Sequence, residues 1–370
     1  MDNMLRSSYT SNSEVAMRPS SDILRFIRNT LAVAALFVPF ILLYLWVDPF
    51  KAVWHYDSYY PHHVCGGPLL NTGMVAVENF NNRFDSVGYN SFVLGNSRAF
   101  YYRLAHWSKY LPEDAIPYHF EAADESLLAV ERKLAYIDRR GAQIHDVMIV
   151  LDPWLLDKEV ATPSPHFMLP AKLGGPVNAV RFHTSSFAAF MDPPVIVATV
   201  DFRLHGVFKA YMRKGHSRTH FVPHEHYYDP VGNEYDYFAY EQQIADSIYY
   251  NARRMRSFEG VQHPDSITPP VVGEKQLKML CSIKAIFYRH KTRVKIIISP
   301  TYDQIRINPA DLAILKDLFG EGNVYDFSGP NEWNADYHNY YESYHYRYHV
   351  ADQVMDRVYD KQKRARWQKR

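Results

Sequence analysis

The sequence predicts an α/β fold built on a doubly wound parallel sheet, with one transmembrane helix before it and an irregular insertion within it. Short apolar stretches alternate with amphipathic helical stretches, which is the pattern of a parallel sheet covered by helices. Several predicted strands end at a polar residue, namely Ser97, Asp152 and Thr301. Because ligands collect at the carboxyl edge of such sheets, the same pattern predicts where a site lies.

The first element is an uncharged apolar run, TLAVAALFVPFILLYLWV, over residues 30–47. As a helix it would extend roughly 27 Å, close to the hydrocarbon thickness of about 30 Å. Four arginines precede the run, whereas only Lys51 closely follows it. We therefore expect a single-pass inner-membrane protein whose N-terminus is cytoplasmic and whose main domain is periplasmic or extracellular. No small-residue cleavage site follows, which favours an uncleaved anchor.

The remaining chain divides by composition. We expect a disordered tail over residues 1–29, a connecting segment over 48–84, an α/β domain over 85–360 and a basic tail over 361–370. Within the domain, an insertion at about 160–270 is rich in Pro, His and Tyr and covers the active edge. The predicted strands are about residues 90–95, 115–120, 147–151, 293–299 and 323–327. The predicted helices are about residues 99–110, 125–139, 274–290, 309–319 and 346–359.

The composition narrows the function only partly. The chain has 370 residues and a formal net charge of +1, which gives no argument for nucleic acid as a partner. Its 29 tyrosines suit either a sugar-binding surface or a tyrosine-rich core. Cys65 and Cys281 could pair or could be two separate thiols, and we favour the unpaired state.

The most informative stretch is Ser91-Phe92-Val93-Leu94-Gly95-Asn96-Ser97-Arg98. A short apolar strand ends in a Gly that permits a sharp turn, and a helix-compatible segment follows. This arrangement would present Ser97 at the carboxyl edge of the sheet, near the amides of a helix start. The alternative is that Ser97 only caps that helix.

A second stretch, Glu342-Ser343-Tyr344-His345, lies just before the last predicted helix. An acid three residues before a histidine can orient its imidazole in a turn. A serine near the start and an acid-x-x-His near the end are the parts of a hydrolytic triad. His338, close to Asp336, is a weaker rival for the base because no helix directly follows it.

These two stretches resemble the SGNH (GDSL-type) hydrolase superfamily, in which a Gly-Asp-Ser block holds the nucleophile and an Asp-x-x-His block holds the base. With its N-terminal anchor, the chain is similar to the branch that works beside membrane-bound O-acyltransferases. The likeness spans residues 85–155 and 290–360. It implies a flavodoxin-like three-layer fold, with Ser97 as nucleophile, His345 as general base and acid, and Glu342 as the group that orients His345.

The chain departs from that family pattern in four places. Asn96 and Glu342 each stand where the family has Asp. Phe120-Glu121-Ala122-Ala123 stands where a Gly block is expected, and Leu151-Asp152-Pro153 stands where a Gly-x-Asn block is expected. The resemblance therefore leaves the oxyanion donors open. Asn96 or Arg98 could take that role, and Asp152 could donate only if protonated.

The resemblance implies an O-acyl transferase or esterase, with acetyl as the acyl group, acting on a cell-surface polysaccharide without a cofactor. A membrane-bound O-acyltransferase would supply the acyl group. The alternative is a non-catalytic accessory subunit that binds glycan or that membrane enzyme.

A third reading is a metal-dependent enzyme using the run His216-x3-His220-x3-His224-x-His226, whose spacing could place imidazoles on one helix face. Because Pro223 interrupts the helix, we predict no metal site there.

Overall fold

The computed structural model describes residues 21–214, 216–261 and 265–360. The chain forms two units, one ending at Trp46 and one beginning at Val47. The predicted basic tail at 361–370 and the first twenty residues of the predicted N-terminal tail lie outside the described residues.

The N-terminal unit is helical. Helices α1 (Ser21–Ala35) and α2 (Val38–Val47) follow one another with a short turn between them. Together they provide a 26-residue helical stretch, Asp22–Val47, whose most apolar 18-residue window has a mean hydropathy of 2.4. By length and composition this stretch can cross a membrane, as predicted. It begins earlier than the predicted residue 30, because residues 21–29 are helical and not part of a disordered tail as predicted. Its orientation in the membrane stays a prediction.

The second unit contains strands and helices in alternation. The strands are β1 (His63–Pro68), β2 (Ser91–Gly95), β3 (Pro117–His119), β4 (Asp146–Leu151), β5 (Phe221–Asp229), β6 (Glu234–Asp236), β7 (Arg293–Ile298), β8 (Val324–Asp326), β9 (Tyr340–Glu342) and β10 (His345–Tyr346). The helices are α3 (Thr72–Val87), α4 (Leu104–Trp107), α5 (Leu127–Arg139), α6 (Pro153–Asp157), α7 (Gly175–Phe190), α8 (Pro193–His205), α9 (Ala210–Lys214), α10 (His216–Thr219), α11 (Phe238–Ala245), α12 (Ala252–Met255), α13 (Glu274–His290), α14 (Pro309–Phe319) and α15 (Tyr348–Tyr359).

A five-stranded sheet in the order β3-β2-β4-β7-β8 lies at the centre of this unit, and all of its pairings are parallel. The predicted α/β fold with a parallel sheet is therefore confirmed. From β2 the chain first crosses to the edge strand β3 and then returns to the other side of β2 as β4. The strand order thus reverses between β2 and β4, and ligands bind at such switch points in open α/β sheets.

Helices cover both faces of the sheet. Phe92 and Leu94 of β2 are buried on one face in a cluster that includes residues of α3, α5, α13 and α14. Val93, between them, is buried on the other face with residues of α4 and α15. Because successive side chains of a strand point to opposite faces, an almost wholly apolar strand is expected in a sheet covered on both sides.

The predicted helix over 99–110 is wrong. Short 3-10 turns (Ser97–Tyr101 and Ser108–Tyr110) flank the four-residue helix α4 there. Phe100 is buried in one apolar cluster and Tyr101 in another. A regular amphipathic helix buries only one face and would not place two consecutive side chains in two different apolar clusters. The chain therefore forms tighter 3-10 turns here.

The predicted connecting segment over 48–84 is also wrong in its content, because it contains β1 and most of α3. The Asn71 side chain caps α3 by accepting from the Met74 amide at 2.9 Å, and Gly88 ends the helix at φ 75°. Asn and Gly are residue types that favour these two positions. Asn79 lies inside the helix and is fully buried, and it hydrogen-bonds the hydroxyl of Tyr228.

The predicted insertion contains helices α7–α12 and strands β5 and β6. These two strands join β1 in an antiparallel three-stranded sheet of order β1-β5-β6. Residues from this small sheet border the cavity beside Ser97, so the insertion covers the carboxyl edge of the central sheet. Cys65 and Cys281 are both free, as favoured from the sequence.

Candidate active site

Ser97 lies at the switch point, two residues beyond the end of β2. The turn there requires glycine: Gly95 has a φ of 144°, and a Cβ at that position would lie 2.4 Å from the carbonyl oxygen of Val150 on the neighbouring strand. Asn96, rather than Ser97, caps the following 3-10 turn, because its side chain accepts from the Arg98 amide at 3.1 Å. The reading of Ser97 as a simple helix cap is therefore wrong.

Ser97, His345 and Glu342 form a continuous chain of contacts. The Ser97 hydroxyl lies 2.7 Å from His345 Nε2, although 248 positions separate the two residues in the sequence. His345 Nδ1 lies 2.5 Å from Glu342 Oε1. When Nδ1 donates its proton to the carboxylate, Nε2 is left as the acceptor for the Ser97 hydroxyl.

A β-hairpin explains the acid-x-x-His spacing. Strands β9 and β10 pair antiparallel with Glu342 opposite His345, and residues 343–344 form the turn between them. Side chains of directly opposed residues lie on the same face of a hairpin. The hairpin, rather than the start of helix α15, therefore places the carboxylate against the imidazole.

Residues outside both sequence stretches hold this hairpin. Glu241 of α11 accepts from the Tyr341 hydroxyl at 2.6 Å and from Arg347 Nη2 at 2.5 Å. Burial alone would raise the pKa of Glu241, but the bonds from Arg347 and Tyr341 lower it below its ordinary value. Arg254 of α12 lies 3.8 Å from the second oxygen of Glu342. No local pattern in the sequence connects Glu241 or Arg254 to the predicted triad.

The three predicted supporting residues form one network. Asp152 is buried, and it accepts hydrogen bonds from the Asn96 side-chain amide and from Arg98 Nη1, the latter at 2.6 Å. Its other oxygen caps α6 by accepting from the Leu155 amide at 2.9 Å. Asp152 thus acts as a structural acid that positions Asn96 and Arg98. The contacts show that Arg98 forms a local ion pair with Asp152.

The segment that replaces the expected Gly block also lies near Ser97, since Ala123 borders the same cavity. Two of its amides already have partners: Ala122 donates to the Gly95 carbonyl at 3.2 Å and Ala123 donates to Thr72 Oγ1 at 2.8 Å. Candidates for binding an oxyanion include the Ser97 amide and the side chains of Asn96 and Arg98.

Two cavities meet at Ser97 and His345. The first has a volume of about 440 Å³ and is bordered mainly by apolar and aromatic side chains, including three residues of the tyrosine-rich run, Tyr235, Tyr237 and Tyr240. The second has a volume of about 720 Å³ and is bordered by many polar and charged side chains. Ser97 and His345 therefore lie between the two cavities, which we call the apolar chamber and the polar cleft below.

In the histidine run, the structure describes the side chains of His220 and His226, and these two have different surroundings. His220 contacts His166, whereas His226 borders the apolar chamber. The side chains of His216 and His224 lie outside the described ones. A different group, His63, Cys65 and Glu225, brings its ligand atoms within 4.8 Å of one another on the paired strands β1 and β5, where all three side chains are exposed.

The rival pair, Asp336 and His338, is separate from the serine. His338 Nδ1 lies 2.7 Å from Asp336 Oδ1, and both side chains are more than half exposed. Neither residue borders the apolar chamber or the polar cleft. Of the two histidine candidates, the structure places His345 against Ser97.

No protein-family model matches this chain, and neither does any curated protein or solved structure.

Proposed function

We propose that this protein is a membrane-anchored, extracytoplasmic serine O-acyltransferase or esterase of the SGNH hydrolase type. The observation that supports it most is the contact chain from Ser97 through His345 to Glu342, formed at the switch point of a parallel sheet. The strand order and the helices on both faces agree with the three-layer fold of that superfamily. The apolar N-terminal helix supports the anchor.

The geometry supports the following reaction. Ser97 Oγ attacks the carbonyl carbon of an acyl ester, and its proton passes to His345 Nε2. The ester C–O bond breaks, and His345 returns that proton to the departing alcohol. An acceptor hydroxyl or water then attacks the acyl-serine and loses its proton to His345, which returns it to Ser97 Oγ. Glu342 keeps the imidazole in the tautomer that this sequence needs and stabilises its protonated form.

We propose a cell-surface glycan as the acceptor because of the polar cleft. Thr301 and Asp303 border it, and they suit a ligand with many hydroxyl groups. Trp154 and Tyr344 also border it, with exposed fractions of 67% and 69%. Exposed aromatic rings at a polar cleft offer flat faces for sugar rings. Trp154→Ala should weaken glycan binding at least tenfold while leaving the reactivity of Ser97 unchanged, which titration with glycan fragments and labelling would measure.

The acyl donor in this proposal comes from a membrane-bound O-acyltransferase that lies beside the N-terminal helix. Co-purification of such an enzyme with the full-length chain, and its loss when α1 and α2 are replaced by an unrelated transmembrane helix, would support that partnership. If the membrane enzyme still co-purifies after the replacement, it binds the outer domain and not the N-terminal helices.

A second candidate function is a non-catalytic accessory subunit that binds glycan or the membrane enzyme. The oxyanion groups favour it: the amides of Ala122 and Ala123 have other partners, and Asp152 holds both Asn96 and Arg98. An enzyme with a weak oxyanion site would be slow, since one such donor contributes about 100- to 1,000-fold to the rate.

Labelling with a fluorophosphonate distinguishes the two functions. An enzyme should react through Ser97, and Ser97→Ala should abolish the labelling. Ser343→Ala is the matched control, because Ser343 also borders the polar cleft but contacts neither catalytic partner through a described hydrogen bond. If the wild-type protein does not label, or if Ser97→Ala labels as well as Ser343→Ala, the enzymatic function is excluded.

A further inference from the structure

The apolar chamber opens directly at the reactive serine. Its wall includes Ser97 and His345, so an acyl carbon attached to Ser97 Oγ lies at its mouth. Much of the rest of the wall is aliphatic and aromatic, and it is formed by Val64, Leu69, Leu70, Phe100, Val222 and Tyr237. These residues come from β1, β5, the segment before α3, the turn after β2 and the segment before α11. The insertion therefore builds part of this chamber.

The chamber is much larger than an acetyl group needs. Its 440 Å³ volume is about three times that of an apolar cavity that binds a benzene ring, roughly 150 Å³. It falls within the range of about 300 to 1,000 Å³ typical of small-molecule sites. An acetyl group would leave most of this apolar surface in contact with water.

The charged groups at the chamber already have partners within the protein. Lys51 donates to the carbonyl of Tyr59, and Arg254 lies against Glu342 and over the ring of Tyr249, 4.6 Å from its centre. An anionic ligand would have to displace these contacts. A neutral apolar chain would not, and it would bury the aliphatic wall.

We propose that the chamber binds the acyl chain of the donor, and that this chain is a medium-length aliphatic acyl group rather than acetyl. At roughly 30 Å³ for each carbon-sized group, six to ten carbons would occupy about 180 to 300 Å³ of the chamber. The alcohol part of the ester then lies in the polar cleft on the other side of Ser97. This inference rests on the proposed function, because it requires Ser97 to be acylated.

The chain-length dependence of ester hydrolysis tests the inference. The full-length protein in detergent is assayed with p-nitrophenyl esters from acetate to hexadecanoate. We expect kcat/KM to rise about fourfold for each added methylene, the factor for full burial of one CH₂ group, through at least about six carbons. The rise should stop by about fourteen carbons, because at roughly 30 Å³ for each group the 440 Å³ chamber holds no more. A profile that is flat or falls from acetate onward overturns the inference.

Matched variants locate the chain. Val222→Phe narrows the chamber and should shift the optimum to shorter esters, and Val222→Leu should produce a smaller shift in the same direction if the larger change prevents folding. Val261→Phe is the control, because Val261 borders the polar cleft instead. It should leave the chain-length optimum unchanged. Equal shifts in the Val222 and Val261 variants, or no shift in either Val222 variant, overturn the inference.

Fluorophosphonate labelling and the ester series together separate an error about the acyl chain from an error about the enzymatic function. If Ser97 reacts with the fluorophosphonate but acetate remains the best ester, the serine chemistry stands and the chamber has another role. If Ser97 does not react at all, the enzymatic function itself is wrong.

Discussion

Replacing Glu342 by Gln tests whether the carboxylate charge supports the chemistry at Ser97. The substitution keeps the shape of the side chain and leaves an oxygen that can accept from His345 Nδ1. It removes the negative charge that, in the proposed reaction, stabilises the imidazolium formed when His345 takes the serine proton. In the structure, the carboxylate and the imidazole are 2.5 Å apart, so the loss of charge acts at close range.

The size of the effect follows from the distance and the exposure. Two unit charges about 4 Å apart attract by about 4 kcal/mol at an effective dielectric constant of roughly 20, and by about 1 kcal/mol in bulk water. The side chains of Glu342 and His345 are 27% and 23% exposed, and Arg254 also faces the carboxylate. An intermediate value of about 2 to 3 kcal/mol is therefore appropriate. It corresponds to a rate loss of about 30- to 160-fold.

The assay is the second-order rate constant for fluorophosphonate labelling of the full-length protein near neutral pH. Asp336→Asn is the control, because Asp336 contacts His338 in a similar Asp–His pair that lies away from Ser97. It should label at the wild-type rate. Labelling of Glu342→Gln within about threefold of the wild-type rate would refute the reasoning, and so would an equal loss in Asp336→Asn.

Three further predictions concern the residues that support the site and the fold. Asp152→Ala leaves the guanidinium of Arg98 without its partner in a largely buried position, so the free energy of unfolding should fall by about 2 to 4 kcal/mol, measured from urea unfolding; a loss below about 0.5 kcal/mol would contradict the network. Burial would raise the pKa of Glu241, but its hydrogen bonds from Arg347 and Tyr341 lower it. Its contribution to stability is therefore complete above the pH at which the unfolded carboxyl titrates, about 4.3, and is lost as the pH falls through the lower folded pKa. Thermal unfolding measured over a pH series should show a smaller loss of stability at acid pH in Glu241→Gln than in the wild type. Asn71→Ala removes the cap of α3 and also the hydrogen bonds that the buried side chain donates to the carbonyls of Pro165 and Met168, so it should cost about 2 kcal/mol or more in the same urea assay. Ser126→Ala, which removes only the cap of α5, should cost about 1 kcal/mol, and an equal or larger loss there would contradict the reasoning.

The sequence predicted those elements best whose pattern is local and strong. Helices α13 and α14 lie where the apolar periodicity placed them, Glu274–His290 and Pro309–Phe319. The strand before Ser97 begins and ends within one residue of its prediction, because a wholly apolar run followed by Gly leaves few alternatives. The sequence did not predict helix α3, which contains the buried polar residue Asn79. The partner of Asn79 is the hydroxyl of Tyr228, about 150 positions away, which no local pattern indicates.

The sequence alone determined which residue types are present and at what local spacing: a serine after a buried strand, an acid three residues before a histidine, and an apolar helix long enough to cross a membrane. Local spacing cannot determine distances between segments far apart in the chain. The tertiary structure alone decided that Ser97 meets His345 rather than another of the 18 histidines, because the parallel sheet and the hairpin bring those segments to one edge. It also decided that Asp152 holds Asn96 and Arg98, and that the insertion encloses an apolar chamber beside the serine, since both depend on packing between distant elements.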